Sequence, residues 1–541
     1  MLVTYNLFIH ATTYTVGPGQ TYAHIIDIPV LDNLQPGDSI KVYYQPDHYF
    51  EKFRLYGVGT SNNPIVLIGI PDNNGNKPVL DGKNAISNST SYANEDRQVI
   101  KIGEYGSLIA DYVIIEGFEI RNANANYQFI DDTGTPTDYQ DNACAFRPES
   151  CKHTIVRNCM LDSCGNSFQG GNAVLDNTVT HDNPTEILVE YCSLFDNGNP
   201  ADPSSDQEHQ LYSFGGVGSV LTLQYNRLGN VMDAGAQIKT RSETNIIRYN
   251  WVDGGDNDML QLIEDMRNGV QHNYVYGNVF IKSTGNSNNR LILVGWDSSP
   301  QPNGDSTYFY NNTVISKDPG GDRFFRTIDT TVHIFADNNI FYAVNSTYLL
   351  FNDGPDTTIR GKNNWISSFA TGINSAAVTN SILSVDPGFV DFVNSDLHLT
   401  ATSECRDVVM GFVPPAGFPL SEEYVMDLQS QPRPSDGKLD LGAFEYDGLT
   451  SVNNIAKSIN DILLYPNPSD GQLNLYLKTE KLSNTASIII MDVSGKELIR
   501  EIKPLNIERM LSIDAEILTP GIYFIKVITD KNTEVVKFTK Q

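Results

Sequence analysis

Four neighbouring segments in the middle of the chain combine bases, carboxylates and aromatic side chains at short spacing. In chain order they are residues 208–212 (EHQLY), 235–242 (GAQIKTRS), 258–265 (DMLQLIED) and 290–297 (RLILVGWD). Apolar and polar residues alternate through 238–241, which is typical of a strand with one buried face. If Ile238 and Thr240 face the core, Lys239 and Arg241 face solvent on the same side of that strand.

A lysine and an arginine on one exposed strand suit β-elimination from a uronic acid. The proton α to the carboxylate is weakly acidic, so a cation must neutralise the carboxylate while a base removes the proton. A lysine can be that base when a neighbouring cation favours its neutral form. We therefore expect Lys239 to act as the base and Arg241 to neutralise the carboxylate, with His209 as the third catalytic candidate.

Other residues of these segments are candidates for holding the substrate or a cation. We expect substrate to be bound by Glu208, Tyr212, Arg290, Trp296 and Asp297. We expect Glu264 and Asp265 to hold a cation, for which Ca²⁺ is the candidate because it prefers carboxylate oxygens. The sequence points to no organic cofactor.

The same residues also suit purely structural roles. Lys239 and Arg241 can instead pair with Glu264 and Asp265 as a solvent-facing ladder of charges. His209 can be a turn histidine whose ring is hydrogen-bonded locally. The aromatic rings of Tyr212, Trp251 and Trp296 can either stack on sugar rings or pack within the protein. Packing fits Trp251 better.

A repeated phrase indicates the scaffold that positions these segments. Short runs of alternating apolar and polar residues end at Cys159, Cys192, Asn226, Asn250, Asn278, Asn312, Asn339 and Asn364. Successive ends from Cys192 to Asn364 lie between 250−226 = 24 and 226−192 = 34 residues apart, a period typical of solenoids whose coils stack on one another. An asparagine at equivalent turns can bond the backbone and the asparagine of the next coil. We therefore expect these asparagines to be structural.

The cysteines Cys159 and Cys192 fit stacked buried thiols better than a disulfide, and Cys144 and Cys151 can pair if the compartment is oxidising.

Composition excludes some classes of partner. The chain has 541 residues, with 65 acidic and 37 basic side chains and a formal charge of −28. This balance argues against nucleic acid, because binding it requires cations that neutralise phosphates. No apolar segment reaches the roughly 20 residues of a membrane-spanning helix. The apolar run within residues 1–11 suggests the remnant of a secretory signal peptide.

Longer stretches carry family resemblances. The segments VYYQPDHYFEKFRL and PIVLIGIPDNNGNKPVLDG resemble the opening coils of secreted right-handed parallel β-helix proteins. From residue 208 to residue 341, EHQLY, GAQIKTRS, IIRYNWVDGG, LQLIE and STYFYNNTVIS resemble bacterial β-helix proteins of the polysaccharide-degrading type. IKTRSETNIIRYN is also distantly similar to the Lys-bearing coil of the alginate-lyase and chondroitinase-B family. That family implies a Ca²⁺-dependent lyase, but its Glu-x-Glu pair is replaced here by Asp233-Ala234-Gly235.

The end of the chain resembles a different family. YPNPSDG, DVSGKE, PGIYFIKV and the terminal VVKFTK resemble the C-terminal sorting domain of the type IX secretion system. This implies export across the outer membrane and a partnership with that secretion machinery. The predicted organisation is an all-β chain with a right-handed single-stranded parallel β-helix at 12–449, a linker at 450–460 and a small antiparallel β-sandwich at 461–541.

Three functions remain open on the sequence. The leading hypothesis is a secreted, monomeric lyase that cleaves an anionic, uronate-containing polysaccharide. The second is a glycoside hydrolase, which needs two carboxylates about 5 to 9.5 Å apart; its candidates are Asp258, Glu264, Asp265 and Asp297. The third is a surface protein that binds glycan or mediates adhesion without catalysis.

Overall fold

Short strands separated by sharp turns build this chain, as the alternation of apolar and polar residues predicts. The computed structural model describes residues 11–87, 95–104, 108–170, 185–202, 205, 207–233, 235–255, 257–263, 270–284, 289–295, 304–318, 321–328, 330–344, 348–446, 462–465, 472–477, 485–492, 496–504, 510–519, 521–528 and 533–540. The chain divides into two compact units, Met1–Tyr446 and Asp447–Gln541. The predicted signal remnant, apart from Ala11, and the predicted linker lie outside the described residues.

The first unit is a parallel β-helix in which each coil passes through three sheets, named here in chain order. The first sheet stacks Thr13–Val16, Ser39–Tyr43, Ile65–Ile70, Val113–Glu116, His153–Arg157, Glu186–Glu190, residues 220–224, residues 244–248, His272–Tyr276, Ser306–Tyr310, His333–Asp337, Ile359–Lys362 and Val378–Thr379. The second sheet stacks Val79–Asp81, Glu119–Arg121, Met160–Asp162, Ser193–Phe195, Arg227–Leu228, Trp251–Gly255, Val279–Lys282, Thr313–Ser316, Ile340–Ala343, Trp365–Ser367 and Ile382–Ser384.

The third sheet completes each coil and carries the candidate catalytic residues. It stacks Glu51–Leu55, Gln98–Ile102, Cys144–Pro148, Asn166–Gly170, residues 211–213, residues 238–240, Leu260–Ile263, Ile292–Gly295, Asp322–Thr327 and Leu349–Asp353. The strands Leu211–Gln224 and Ile238–Arg248 are long because each runs from the third sheet into the first without a break. The predicted parallel β-helix is confirmed.

The predicted asparagine ladder lies at the turn between the first and second sheets. The backbone N–H and the side-chain amide of Asn250 both donate to Oδ1 of Asn278 at 3.0 Å. The same pair of bonds links Asn226, Asn250, Asn278, Asn312, Asn339 and Asn364 in succession. Cys192 takes this position one coil earlier, where its N–H donates to Oδ1 of Asn226 at 2.9 Å. All six cysteines are buried and free.

The residue before each ladder position turns the chain through the left-handed region. Tyr191, Tyr225 and Tyr249 have φ between +53° and +57°, a conformation that is uncommon for a bulky side chain. Their rings compensate by stacking from coil to coil, with centroids 4.9 Å apart for Tyr191 and Tyr225 and 5.6 Å apart for Tyr225 and Tyr249. Repeated packing therefore holds a backbone geometry that one coil alone would disfavour.

After the last coil, the chain folds back over the outside of the helix. This returning segment, residues 385–446, contains the antiparallel hairpins Phe389–Asp391 with Asp396–Leu399 and Glu422–Val425 with Gln429–Pro432. Its Phe418 stacks on Tyr274 of the first sheet at 3.5 Å between ring centroids. It also covers Trp251, which is 3 % exposed and packs near Tyr424. The first and second sheets are therefore partly covered on their outer faces.

Shorter elements and the second unit complete the fold. The coils also carry the short strands Ile86–Ser87, Gln128–Ile130 and Pro136–Asp138 and the 3₁₀ turns Ile25–Asp27 and Glu95–Arg97, and the returning segment carries the 3₁₀ turn Phe392–Asn394. The second unit pairs Ile462–Tyr465, Gln472–Leu477 and Met510–Asp514 in one antiparallel sheet, and Thr485–Asp492, Glu497–Pro504, Gly521–Ile528 and Thr533–Lys540 in another. This is the antiparallel sandwich that the sequence predicts. Across the described part of the chain, no helix has the length and apolar character to cross a membrane.

Candidate functional site

One row of outward-facing side chains runs along the third sheet, perpendicular to its strands. Tyr212, Lys239, Gln261, Leu293 and Arg326 are register partners on five successive coils. Neighbouring coils of a parallel sheet lie about 4.8 Å apart. Tyr212 and Lys239 are therefore side by side, although 27 residues separate them in the sequence (239−212).

The strand Ile238–Arg248 alternates between buried and half-buried residues in the way the sequence predicts. Ile238, Thr240 and Ser242 are buried, whereas Lys239 and Arg241 are half-buried and face outward. The hydroxyl of Thr240 donates to Oδ1 of Asn245 at 2.6 Å inside the coil. This internal bond satisfies a polar residue in the core and fixes the strand, so the two cations project from a rigid element.

Tyr212 lies at the centre of the site. Nε of Arg241 donates a hydrogen bond to the Tyr212 hydroxyl at 2.9 Å. Nζ of Lys239 lies 5.2 Å from the centroid of the tyrosine ring, within the range of a cation–π interaction. The ring of His209 meets the tyrosine ring edge-on, with centroids 5.3 Å apart. Arg241, Lys239 and His209, the three catalytic candidates from the sequence, therefore all contact Tyr212.

His209 is buried behind the tyrosine and is held as a neutral ring. Its Nδ1 accepts a hydrogen bond from the backbone N–H of Ala236 at 2.9 Å, so the ring proton is on Nε2. Burial lowers the pKa of His209 well below its usual range, and the charges of Lys239 and Arg241 lower it further. The ring therefore stays neutral at neutral pH and orients Tyr212 without adding charge.

Two buried carboxyl groups flank this part of the site, Glu208 next to His209 and Asp233 three residues before Ala236. Burial raises the pKa of Glu208, and burial together with the nearby Glu208 carboxyl raises the pKa of Asp233 to about 7. Among the described residues, Oε1 of Glu208 has no hydrogen-bond partner. Gly235 is essential to this packing, because a Cβ there would lie 1.4 Å from the Glu208 carbonyl oxygen.

The carboxylates assigned to a calcium site by the family resemblance lie only partly within the described residues. Both carboxylate oxygens of Asp233 accept backbone N–H groups, from Asn199 and Gly235 at 2.8 and 2.9 Å. Among the residues that the structure describes, no group of three or more His, Cys, Asp or Glu is arranged to hold a metal ion. Glu264 and Asp265 lie outside the described residues, so their role as cation ligands stays a prediction.

The buried Asp258 pairs with the half-buried Arg290 beside the row. Nε of Arg290 lies 2.8 Å from both carboxylate oxygens of Asp258, and the amide of Gln261 donates to the same carboxylate at 2.6 Å. Burial raises the pKa of Asp258 while the Arg290 charge lowers it. Arg290, which the sequence predicts to bind substrate, is therefore paired with a buried carboxylate of the protein.

The outward face on the N-terminal side of Tyr212 is occupied by an ion-pair network. Gln169, Arg147, Lys101 and Arg54 precede Tyr212 on this face of the sheet. Their charged members pair with carboxylates at 2.6 to 3.5 Å; the pairs are Arg54 with Asp32 and Glu104, Lys101 with Glu104 and Glu149, and Arg147 with Glu149. The candidate site is therefore bounded on this side by a neutralised surface.

Sequence reasoning missed some members of the site and named others that cannot be placed. In the sequence, the only signal for Asp233 is that it departs from the Glu-x-Glu pattern. Gln261 and Arg326 join the row through the register between coils, which cannot be read from the sequence because the turns between strands differ in length. Trp296 and Asp297, like Glu264 and Asp265, lie outside the described residues.

Comparison with known proteins identifies the C-terminal unit. Residues 463–541 match the family model of the secretion system C-terminal sorting domain. The chain therefore carries an export signal of the type IX secretion system, and it is delivered to the cell surface or the medium by that machinery. This confirms the localisation expected from the sequence.

The β-helix has a weaker likeness to a solved structure. A mannuronic acid-specific polysaccharide family 6 lyase from human gut microbiota superposes with a TM-score of 0.38 at 13 % identity. The superposition covers 69 % of this chain and 82 % of the lyase chain. No curated protein matches the sequence. At this score and identity the likeness does not extend to activity.

Proposed function

We propose that this exported protein is a polysaccharide lyase that cleaves uronate-containing glycans by β-elimination. The observation that supports the proposal is the arrangement of Lys239 and Arg241 around Tyr212 on the outer face of the third sheet, beside the neutral His209. The basic side chains of Lys239 and Arg241 on one outward-facing strand suit an anionic sugar. A protein of net charge −28 otherwise repels such a polymer at long range.

Arg241 neutralises the uronate carboxylate in this proposal. A guanidinium has five N–H donors, and its fork geometry matches a carboxylate. Nε is used by the Tyr212 hydroxyl, and the terminal nitrogens carry the other four donors. Neutralising the carboxylate makes the hydrogen on C5 of the sugar more acidic, because the negative charge that develops during its removal moves onto the carboxylate oxygens.

Lys239 removes the C5 hydrogen as the general base. Its side chain faces outward on the strand position next to Tyr212, where a sugar lying along the row would pass. The electrons of the C5–H bond form the C4=C5 double bond, and the glycosidic oxygen leaves C4.

The described carboxyl groups near the row give less support to a hydrolase. Retaining and inverting hydrolases hold two carboxyl groups about 5 to 9.5 Å apart with the sugar between them. Asp258 is instead held by Arg290 and Gln261, Asp233 accepts the backbone N–H groups of Asn199 and Gly235, and the buried Glu208 accepts the Ser205 hydroxyl. These groups are engaged in protein structure rather than open to a sugar.

The test incubates the full chain with a panel of uronate polymers and follows the ultraviolet absorbance of the unsaturated uronate. We expect absorbance to rise with at least one polymer, and Lys239→Met to reduce the rate by about 10²–10⁴-fold, as for loss of a general base. The matched control is Lys41→Met, the same change on the first sheet. No absorbance across the panel refutes the lyase, and reducing ends without absorbance would indicate a hydrolase.

A further inference from the structure

The proposed elimination needs a proton donor for the departing oxygen. When the C4–O4 bond breaks, O4 leaves with the electron pair, and a sugar alkoxide is a poor leaving group unless it is protonated as it departs. Lys239 and Arg241 already have roles in the proposed function. The donor must lie on the same outer face and carry a proton that no protein group takes from it.

We propose that Tyr212 is the general acid that protonates the departing glycosidic oxygen; this assignment rests on the lyase proposed above. The Tyr212 hydroxyl is the acceptor in its bond with Arg241, because Nε of a guanidinium can only donate. The hydroxyl proton is therefore directed elsewhere. Tyr212 is half-buried and faces outward between buried neighbours Leu211 and Ser213, so its hydroxyl is presented on the face where a sugar would bind.

The surroundings of Tyr212 are arranged for the charge that forms when it gives up its proton. The phenolate oxygen would keep the 2.9 Å bond from the Arg241 guanidinium, and hydrogen bonds become stronger when the acceptor is ionised. This donor is in place before the reaction, so no reorganisation is needed as the charge develops. At the same time Lys239, 5.2 Å from the ring centroid, gains a proton and becomes positive. The net charge of the site is unchanged through the step.

His209 supports this role without taking part in it. Its ring is 3 % exposed, and its Nδ1 accepts the Ala236 N–H, so the ring is fixed behind the tyrosine. The edge-on contact between the two rings restricts Tyr212 to one orientation. His209 is thus a positioning residue, and Tyr212 is the group that reaches the substrate.

The step balances with the groups named. Lys239 Nζ accepts the C5 proton, the C5–H electrons become the C4=C5 double bond, and the C4–O4 electrons leave on O4. O4 takes the Tyr212 proton and becomes a free hydroxyl. The products are a chain with an unsaturated uronate at its non-reducing end and a chain that ends in the released hydroxyl. Transfer of one proton from the Lys239 ammonium to the Tyr212 phenolate then restores the starting state.

The experiment compares two substrates in Tyr212→Phe, which keeps the ring and removes only the hydroxyl. The first substrate is the uronate polymer that the wild-type chain degrades. The second is a methyl uronoside that carries 4-nitrophenoxide at C4, a leaving group that needs no protonation. We expect Tyr212→Phe to lose about 10²–10⁴-fold on the polymer and to release nitrophenolate within a few-fold of wild type.

Controls separate this assignment from the proposed function. Lys239→Met should lose activity on both substrates, because the base is needed for each. Tyr308→Phe removes a hydroxyl from a stacked ring of the first sheet and should change neither rate. An equal loss on both substrates, or no loss on the polymer, overturns the role of Tyr212. If the wild-type chain acts on neither substrate, the lyase itself is refuted and the assignment falls with it.

Discussion

Replacing Asn278 in the ladder tests how the coils are held together. Its Oδ1 accepts the backbone N–H and the side-chain amide of Asn250, each at 3.0 Å. Its Nδ2 donates to the carbonyls of Ile247 and Tyr276 at 2.8 and 3.1 Å and to Oδ1 of Asn312 at 3.0 Å. Asn278→Ala removes all five bonds from a residue that is fully buried.

The cost follows from which partners are left without a bond. The Asn250 side-chain amide keeps the carbonyls of Leu223 and Arg248, and Oδ1 of Asn312 keeps the Asn278 backbone N–H. The backbone N–H of Asn250 loses its ladder acceptor in the interior. An unsatisfied buried donor costs about 1–3 kcal/mol, and each lost bond about 1 kcal/mol. We expect Asn278→Ala to lower the free energy of unfolding by about 3–5 kcal/mol.

Two further substitutions at the same position sharpen the test. Asn278→Asp keeps the acceptor but sets an oxygen against three other oxygens in a dry corner, so it should cost more than alanine. Asn278→Cys should lower the free energy of unfolding by less than Asn278→Ala does, because Cys192 already fills this position one coil before Asn226. The Cys192 thiol accepts the Cys159 N–H at 3.5 Å and donates to the Glu190 carbonyl at 3.3 Å.

The assay is urea unfolding of the full chain, followed by circular dichroism and tryptophan fluorescence. Asn62→Ala, at an exposed position, is the control and should change stability by no more than about 0.5 kcal/mol. If Asn278→Ala matches that control, or if the aspartate variant is more stable than the alanine variant, the ladder does not stabilise the coils in the way described.

Three other perturbations have defined outcomes. The folded pKa of Asp233 is about 7, above its unfolded value. The stability that this group contributes is therefore lost as the pH rises from about 4 to about 7. Asp233→Asn should reduce the slope of this fall in unfolding free energy by up to about 1.4 kcal/mol per pH unit. Lys282 and Asp322 form a fully buried pair at 2.9 Å, so Lys282→Met should cost about 3–5 kcal/mol in urea unfolding, and adding Asp322→Asn should recover most of it. Gly235→Ala should abolish soluble folded protein because its Cβ would overlap the Glu208 carbonyl, and normal thermal melting would contradict this.

Local pattern was enough to predict the scaffold. The ladder from Asn226 to Asn364 repeats one chemical requirement at each coil, because a buried turn needs a side chain that both donates and accepts. The outward direction of Lys239 and Arg241 follows from strand alternation, which needs only neighbouring residues. The C-terminal sandwich follows from alternating strands with glycine turns. Each of these predictions depends on residues close together in the sequence.

The composition of the site depends on register, which local pattern does not contain. Leu211–Gln224 shifts twice against Ile238–Arg248, between Ser213 and Gly216 and between Gly216 and Val220, so counting residues cannot align the coils. For the same reason the pairing of Arg290 with Asp258 could not be foreseen, because it joins residues that are 32 positions apart.

The asparagine ladder has a direction. In every link from Asn226 to Asn364 the donor belongs to the N-terminal coil and the acceptor to the next coil, so the amide dipoles point the same way and polarise one another along the axis. An internal coil accepts from one neighbour and donates to the other, and it therefore fits any internal slot. The scaffold can lengthen or shorten by whole coils, while the residues on its outer face change independently.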